Sequence, residues 1–148
     1  MANTKIIHDT LSTLGKRFDK IPPEQISKSI AIAHSIKASS CLQCCGCFLL
    51  ASKLHGDDLS MHEVCKLFGL SDYDSILQIE HTILEEINYS LYSIDSTYER
   101  IHSFNWGDCD KFTEAISLVN EVDHLAEPLQ VVNAIILKVL GLRDKIDV

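Results

Sequence analysis

The stretch from Ser40 to His55, SCLQCCGCFLLASKLH, decides how the rest of the chain is read. From Leu42 to Leu54 it is apolar or small on every side, and a helix without a polar face belongs inside a domain, enclosed by other helices. Lys53 is its one charge. Small residues at Cys44, Cys45 and Gly46 let neighbouring helices come close, while Phe48, Leu49 and Leu50 fill the space beyond them. The pattern predicts a central, buried helix around which the others are arranged.

The surrounding composition fits a folded core. The chain has 148 residues, 46% of them hydrophobic and 23% charged, with three prolines and six glycines. That is the profile of one compact domain, or of one domain with a partial second, and not of a disordered chain. The net charge of −8 repels phosphate backbones and anionic membranes and favours a partner carrying a basic patch. No nucleic acid, membrane or small-molecule partner is therefore expected. The first twenty residues hold no apolar run suited to a signal peptide. The longest apolar stretch, Leu129 to Leu142, is interrupted by Asn133 and Lys138 and is too short to span a bilayer. An intracellular protein of the nucleus or cytoplasm is the expectation, with its six cysteines reduced.

Working outward from the central stretch, helical periodicity accounts for nearly everything. Ile7, Leu11, Leu14 and Phe18 predict a first helix over Lys5 to Phe18, with Lys16 and Arg17 in its last turn where the helix dipole favours them. Pro22 and Pro23 break the chain, and Ile26, Ile30 and Ala33 form one stripe of a second helix reaching about Ser39. Beyond a turn at His55 to Asp58, Ser60 and Glu63 form a capping box that opens a short helix ending at Gly69. Ser71 and Asp74 repeat the device before a longer helix lined by Ile76, Ile79, Ile83 and Ile87. Further helices are predicted over Ile94 to Phe104, around Phe112 to Val122, and from Pro128 to Gly141. No strand signal occurs.

Two clusters invite a chemical reading and do not sustain it. Cys41, Cys44 and Cys45 share a helix face, as thiolates of a metal site do, but Cys47 points away and no second C-x-x-C supplies the missing ligands. Small hydrophobic packing residues are the better reading, and neither a metal nor any other cofactor is expected. The seven histidines form no H-E-x-x-H pair, and no serine or cysteine sits in a nucleophile turn, so no catalytic residue is assigned and the chain is not expected to be an enzyme. Residues 61 to 83 imitate a helix-turn-helix, yet the second helix opens SDYDS, presenting two carboxylates where base-reading side chains would be needed.

FLLASKL at 48 to 54, followed after a short helix containing Glu63, Val64 and Cys65 by ILQIEHTILEEINYSL at 76 to 91, resembles the third and fifth helices of a cyclin box. The resemblance is strong over residues 42 to 91. It implies an all-α fold: a five-helix cyclin box over residues 1–91 around a buried central helix. A truncated second helical repeat would follow over 92–148, since the 57 residues after Leu91 supply about three helices of average length. It further implies a regulatory subunit that binds and activates a cyclin-dependent protein kinase by packing on its C helix. By that resemblance Lys53 and Glu80 grip the kinase backbone, and Leu54, His81, Leu84, Tyr89 and Leu91 complete the partner-binding surface.

Departures from the family pattern bear on how such a protein would work. His55 and Gly56 stand where the family often has two acidic residues, and neither the substrate-docking motif of the first helix nor an R-x-x-L destruction signal occurs. A cyclin-fold transcription factor and a kinase-free cyclin-like adaptor are the alternatives. The acidic charge counts against the first, and a binding test separates the second. Glu99→Ala, from the less defined second half, serves as the control for binding at the proposed surface.

Overall fold

A computed structural model describes residues 4–14, 21–56, 61–90, 94–122 and 128–141. The described residues are helical throughout, with turns between them and no strand. The first helix, α1, begins at Thr4–Ile7 and continues through a π-helical turn at His8–Ser12. It is followed by α2 (Pro23–Ser35), α3 (Cys41–Leu54), α4 (Met61–Phe68), α5 (Tyr73–Glu86), α6 (Thr97–Ser103), α7 (Cys109–Val122) and α8 (Pro128–Leu140). No helix among the described residues is long and apolar enough to cross a membrane. Lys16, Arg17, Phe18, Asp57, Asp58 and Ser60, which figure in the helix boundaries predicted above, lie outside the described residues.

The central helix is α3. Cys44 to Ser52 are all buried in it, and α1, α2, α4 and α5 pack around it. Its start is a reciprocal cap: Ser40 Oγ accepts from the Gln43 amide at 3.2 Å, and Gln43 Oε1 accepts from the Ser39 amide at 2.8 Å. Ile7, Leu11 and Leu14 of the first helical segment, Val64 and Cys65 of α4, and Ile76 and Ile83 of α5 complete this first core. Tyr98, Ile101, Trp106, Ala115, Val119, Val131, Val132 and Ile135 form a second core under α6, α7 and α8. The single tryptophan anchors it, its indole N–H donating to the Ile101 carbonyl at 2.8 Å.

Three boundaries and one assignment differ from the sequence reading. Helix α2 stops at Ser35, not near Ser39, because Lys37 takes up a left-handed conformation (φ 56°). The amides of Lys37 and Ala38 then donate back to His34 and Ala33, at 3.2 and 2.8 Å, closing the helix as a glycine normally does. The cap of α5 is Asp72 and not Ser71. Its carboxylate accepts from the Ser75 amide at 3.2 Å and from the Ser75 hydroxyl at 2.6 Å, which holds its pKa below the ordinary carboxylate value. Helix α6 begins at Thr97 rather than Ile94, where Ser96 caps the Glu99 amide.

The fourth difference concerns α2. The sequence predicts one buried stripe, yet Gln25 to Ala33 are buried on all sides. The reason is position: α2 packs on α1 and α3 with one face and on α6 and α8 with the other, so it bridges the two cores. Its polar residues are used in that bridge. Lys28, 1% exposed, donates to the Ile94 carbonyl and lies 3.2 Å from Glu99, which is 45% exposed. The Tyr98 amide donates to Ser27 Oγ at 3.3 Å. Glu99 is therefore a partner of a buried ammonium and not a detached solvent residue.

Candidate functional site

The site assembles where α3 and α5 cross. Gly46 makes the approach possible: a Cβ placed there would lie 2.7 Å from Ile83 Cδ1 and 2.8 Å from Ile79 Cγ2, closer than side chains tolerate. Two turns further along α3 stands Lys53, and helical side chains lean toward the N-terminus of their helix. Lys53 thus reaches back to α5, where its ammonium lies 2.7 Å from Glu80 Oε1.

The two members of this pair are not equivalent. Lys53 is 58% exposed and keeps most of its hydration, whereas Glu80 is 13% exposed. Glu80 Oε2 is buried and takes no hydrogen bond from the described residues. A mostly buried carboxylate with one oxygen unpartnered costs free energy unless an external donor completes it. The arrangement can offer a partner an acceptor at Oε2 and a donor at the Lys53 ammonium, side by side on two rigid helices.

Of the other residues singled out by sequence, Leu54 and Leu84 are partly buried beside this pair, and Leu84 packs on the first core. Tyr89 is 60% exposed, and the turn that carries it is unusual: Asn88 and Tyr89 both have φ of 56°. Asn88 closes α5 through its own amide to Glu85, and the Tyr89 amide bonds back to Leu84 at 2.8 Å. A bulky residue in the left-handed region is strained. His81 turns away from Glu80 and pairs with Glu85 on the solvent face, Nε2 to Oε1 2.8 Å. Leu91 lies outside the described residues.

Sequence reasoning missed Tyr73 and Leu77, both exposed. With Glu80 and Leu84 they form one stripe of α5, adjacent to the core stripe of Ile76, Ile83 and Ile87. The signal was present, since a second apolar stripe on a helix already provided with a core face has no internal use. Tyr73 is held by His62 of α4, whose Nδ1 lies 2.6 Å from the phenol oxygen.

The remaining reactive groups are enclosed or dispersed. Burial pushes the thiols of Cys44 and Cys45 up to about 12, that of Cys47 well above its ordinary value, and that of Cys65 upward. These thiols are protonated at neutral pH. Among the described residues, no three His, Cys, Asp or Glu side chains are grouped to hold a metal ion. An open depression lined by Glu24, His55, Tyr98, Glu99, His102 and Ser103 contains His102 stacked on Tyr98, ring centroids 5.9 Å apart. The chain matches no protein-family model, no curated protein and no solved structure.

Proposed function

We propose that the chain is a cyclin-like regulatory subunit that binds a cyclin-dependent protein kinase and activates it by packing on its C helix, performing no chemistry itself. The observation that carries this reading is the Lys53–Glu80 pair at the crossing of α3 and α5, with Glu80 Oε2 buried and unpartnered. A paired donor and acceptor fixed on two helices suit a peptide backbone, which presents a carbonyl and an amide together. Leu54, Leu84 and Tyr89 add apolar area around it, His81 lies at the rim, and Leu91 extends the surface by the family resemblance. The net charge of −8 favours a basic partner. The reading is supported by four helices packed on a central α3 in the first core and by three further helices in the second.

The experiment is a binding titration of the purified chain against cyclin-dependent kinases from its own source. Lys53→Ala and Glu80→Ala should each weaken the complex by about 2 kcal/mol, roughly thirtyfold in Kd. Glu114→Ala, at an exposed position of α7, replaces Glu99→Ala as the control and should bind as the parent does. Stability separates the two variants. Glu80→Ala leaves a hydrated lysine and costs less than about 1 kcal/mol, whereas Lys53→Ala strips a mostly buried carboxylate of its counter-ion and costs about 1–2 kcal/mol. Equal affinity across parent and variants would remove the proposed surface. A parent that binds no kinase would instead support the adaptor alternative.

A further inference from the structure

Cys41 and Cys44 stand one turn apart at the start of α3, and they differ in access: Cys41 is exposed and Cys44 fully buried. The Ser40–Gln43 cap fixes this register, placing Cys41 at the first helical position and Cys44 at the fourth. Helix geometry sets their Cα atoms about 5 Å apart, within the roughly 4.4–6.8 Å that a disulfide spans. Their Cβ atoms, about 5–6 Å apart in a regular helix, must close by about 1–2 Å. Cys41 must supply that movement from the free end of the turn, since Gln43 and Cys44 are held, their amides donating to Ser40 Oγ at 3.2 Å and to the Ser40 carbonyl at 3.1 Å. Cys41 lies near both Cys44 and Cys45, and Cys45 also has Cys65 of α4 beside it.

We propose that Cys41 and Cys44 form a reversible redox site, with Cys41 the attacking thiol, Cys44 the resolving thiol, and a low-molecular-weight disulfide of the glutathione class the oxidant. The Cys41 thiolate attacks one sulfur of oxidised glutathione. The S–S bond breaks, and one glutathione leaves as a thiolate that takes up the proton Cys41 released. Cys44 then loses its proton and attacks the Cys41 sulfur of the mixed disulfide, expelling the second glutathione, which takes that proton. Two protein thiols are oxidised and one glutathione disulfide is reduced to two thiols; excess reduced glutathione reverses both steps. Burial imposes the order, since Cys44 is both inaccessible and protonated until the Cys41 disulfide lies beside it. The second step is the slow one.

The site is independent of the kinase surface and is tested without a kinase. In the Cys109→Ser chain, where Cys41 is the exposed thiol, oxidised glutathione should lower the intact mass by two hydrogens. Fragmentation of the tryptic peptide Ala38–Lys53 should place the bridge between Cys41 and Cys44. Cys44→Ala should halt one glutathione heavier, Cys41→Ser should stay unmodified, and Cys45→Ala should behave as its parent. The parent mass decides even where a variant folds poorly. A parent that remains as a stable glutathione adduct, one that does not react, or a bridge abolished by Cys45→Ala but not by Cys44→Ala overturns the proposal.

Discussion

Replacing Gly46 by Ala sets two effects of opposite sign against each other at the crossing of α3 and α5. Alanine is the better helix residue by about 1 kcal/mol, so on propensity alone the variant would be more stable. The added methyl, however, would lie 2.7 Å from Ile83 Cδ1 and 2.8 Å from Ile79 Cγ2. Ile83 Cδ1 is a chain end, but it is enclosed in the first core, and Ile79 Cγ2 is fixed by a stiff β-branched χ1. Neither can step aside freely, so α5 must shift. Overpacking of this kind costs about 1–3 kcal/mol. With two neighbours displaced together the upper end applies, and subtracting the propensity gain leaves a net loss of about 2 kcal/mol. In a chain of this length that lowers Tm by about 4–8 °C. Thermal unfolding followed by far-ultraviolet circular dichroism measures it. Ile83→Val, which removes Cδ1, costs about 0.5–1.5 kcal/mol by itself. In the Gly46→Ala background it should cost much less, giving a coupling of about 1 kcal/mol. A Gly46→Ala chain more stable than its parent, or strict additivity with Ile83→Val, would refute the close approach of these helices.

Two further outcomes follow from the buried groups. Glu99→Ala removes the carboxylate from a lysine that is 1% exposed and should cost about 1–3 kcal/mol, less than a fully buried pair because the carboxylate side is open to water. Lys28→Met, which leaves the Ile94 carbonyl unmatched but no buried charge, should cost about 1 kcal/mol; in both variants Trp106 fluorescence should report earlier melting of the second core than circular dichroism reports for the whole, and a neutral Glu99→Ala would refute the bridge. The buried thiols predict alkaline sensitivity: Cys44 and Cys45 titrate at about 12 in the folded chain against an ordinary 9.0, so between these values the unfolded state binds fewer protons and stability falls as pH rises, being fully present below about pH 9. The two thiols together give a slope of about 3 kcal/mol per pH unit near pH 10–11, and urea unfolding of the Cys44→Ala, Cys45→Ala double variant should show a correspondingly shallower decline; an equal slope would mean that these thiols ionise in the folded state.

What the sequence could and could not disclose divides along the range of the interactions. The burial of α3 is legible because it is local: no spacing of Cys44 to Ser52 leaves a polar face, whatever the neighbours are. The burial of α2 is not, because Gln25, Ser27, Lys28 and Ser29 read as a solvated face until α6, some seventy residues later, arrives to cover them. No local period encodes that arrival. The ends of helices fail for a smaller reason. Lys37 serves where glycine is the usual signal, and Asp72 and Ser71 are adjacent residues both able to cap, so composition leaves the choice to the turn geometry.

The same distinction governs the candidate site. Lys53 and Glu80 come forward from residue type and spacing, but their unequal exposure and the buried Oε2 depend on how closely α5 lies against α3. That distance is set by Gly46, two turns from Lys53 and with no charge of its own. A shift of α5 large enough to admit one methyl acts at the place where a lysine side chain must span two helices. On the proposed function, stability and partner binding are therefore separable at Glu80, where the charge can be removed at a cost below about 1 kcal/mol, and coupled at Lys53 and at Gly46. A Gly46→Ala chain cooled well below its midpoint is folded, yet if the proposed function holds it should still bind a kinase more weakly than its parent, because the proposed contact pair is held in register by the packing beneath it.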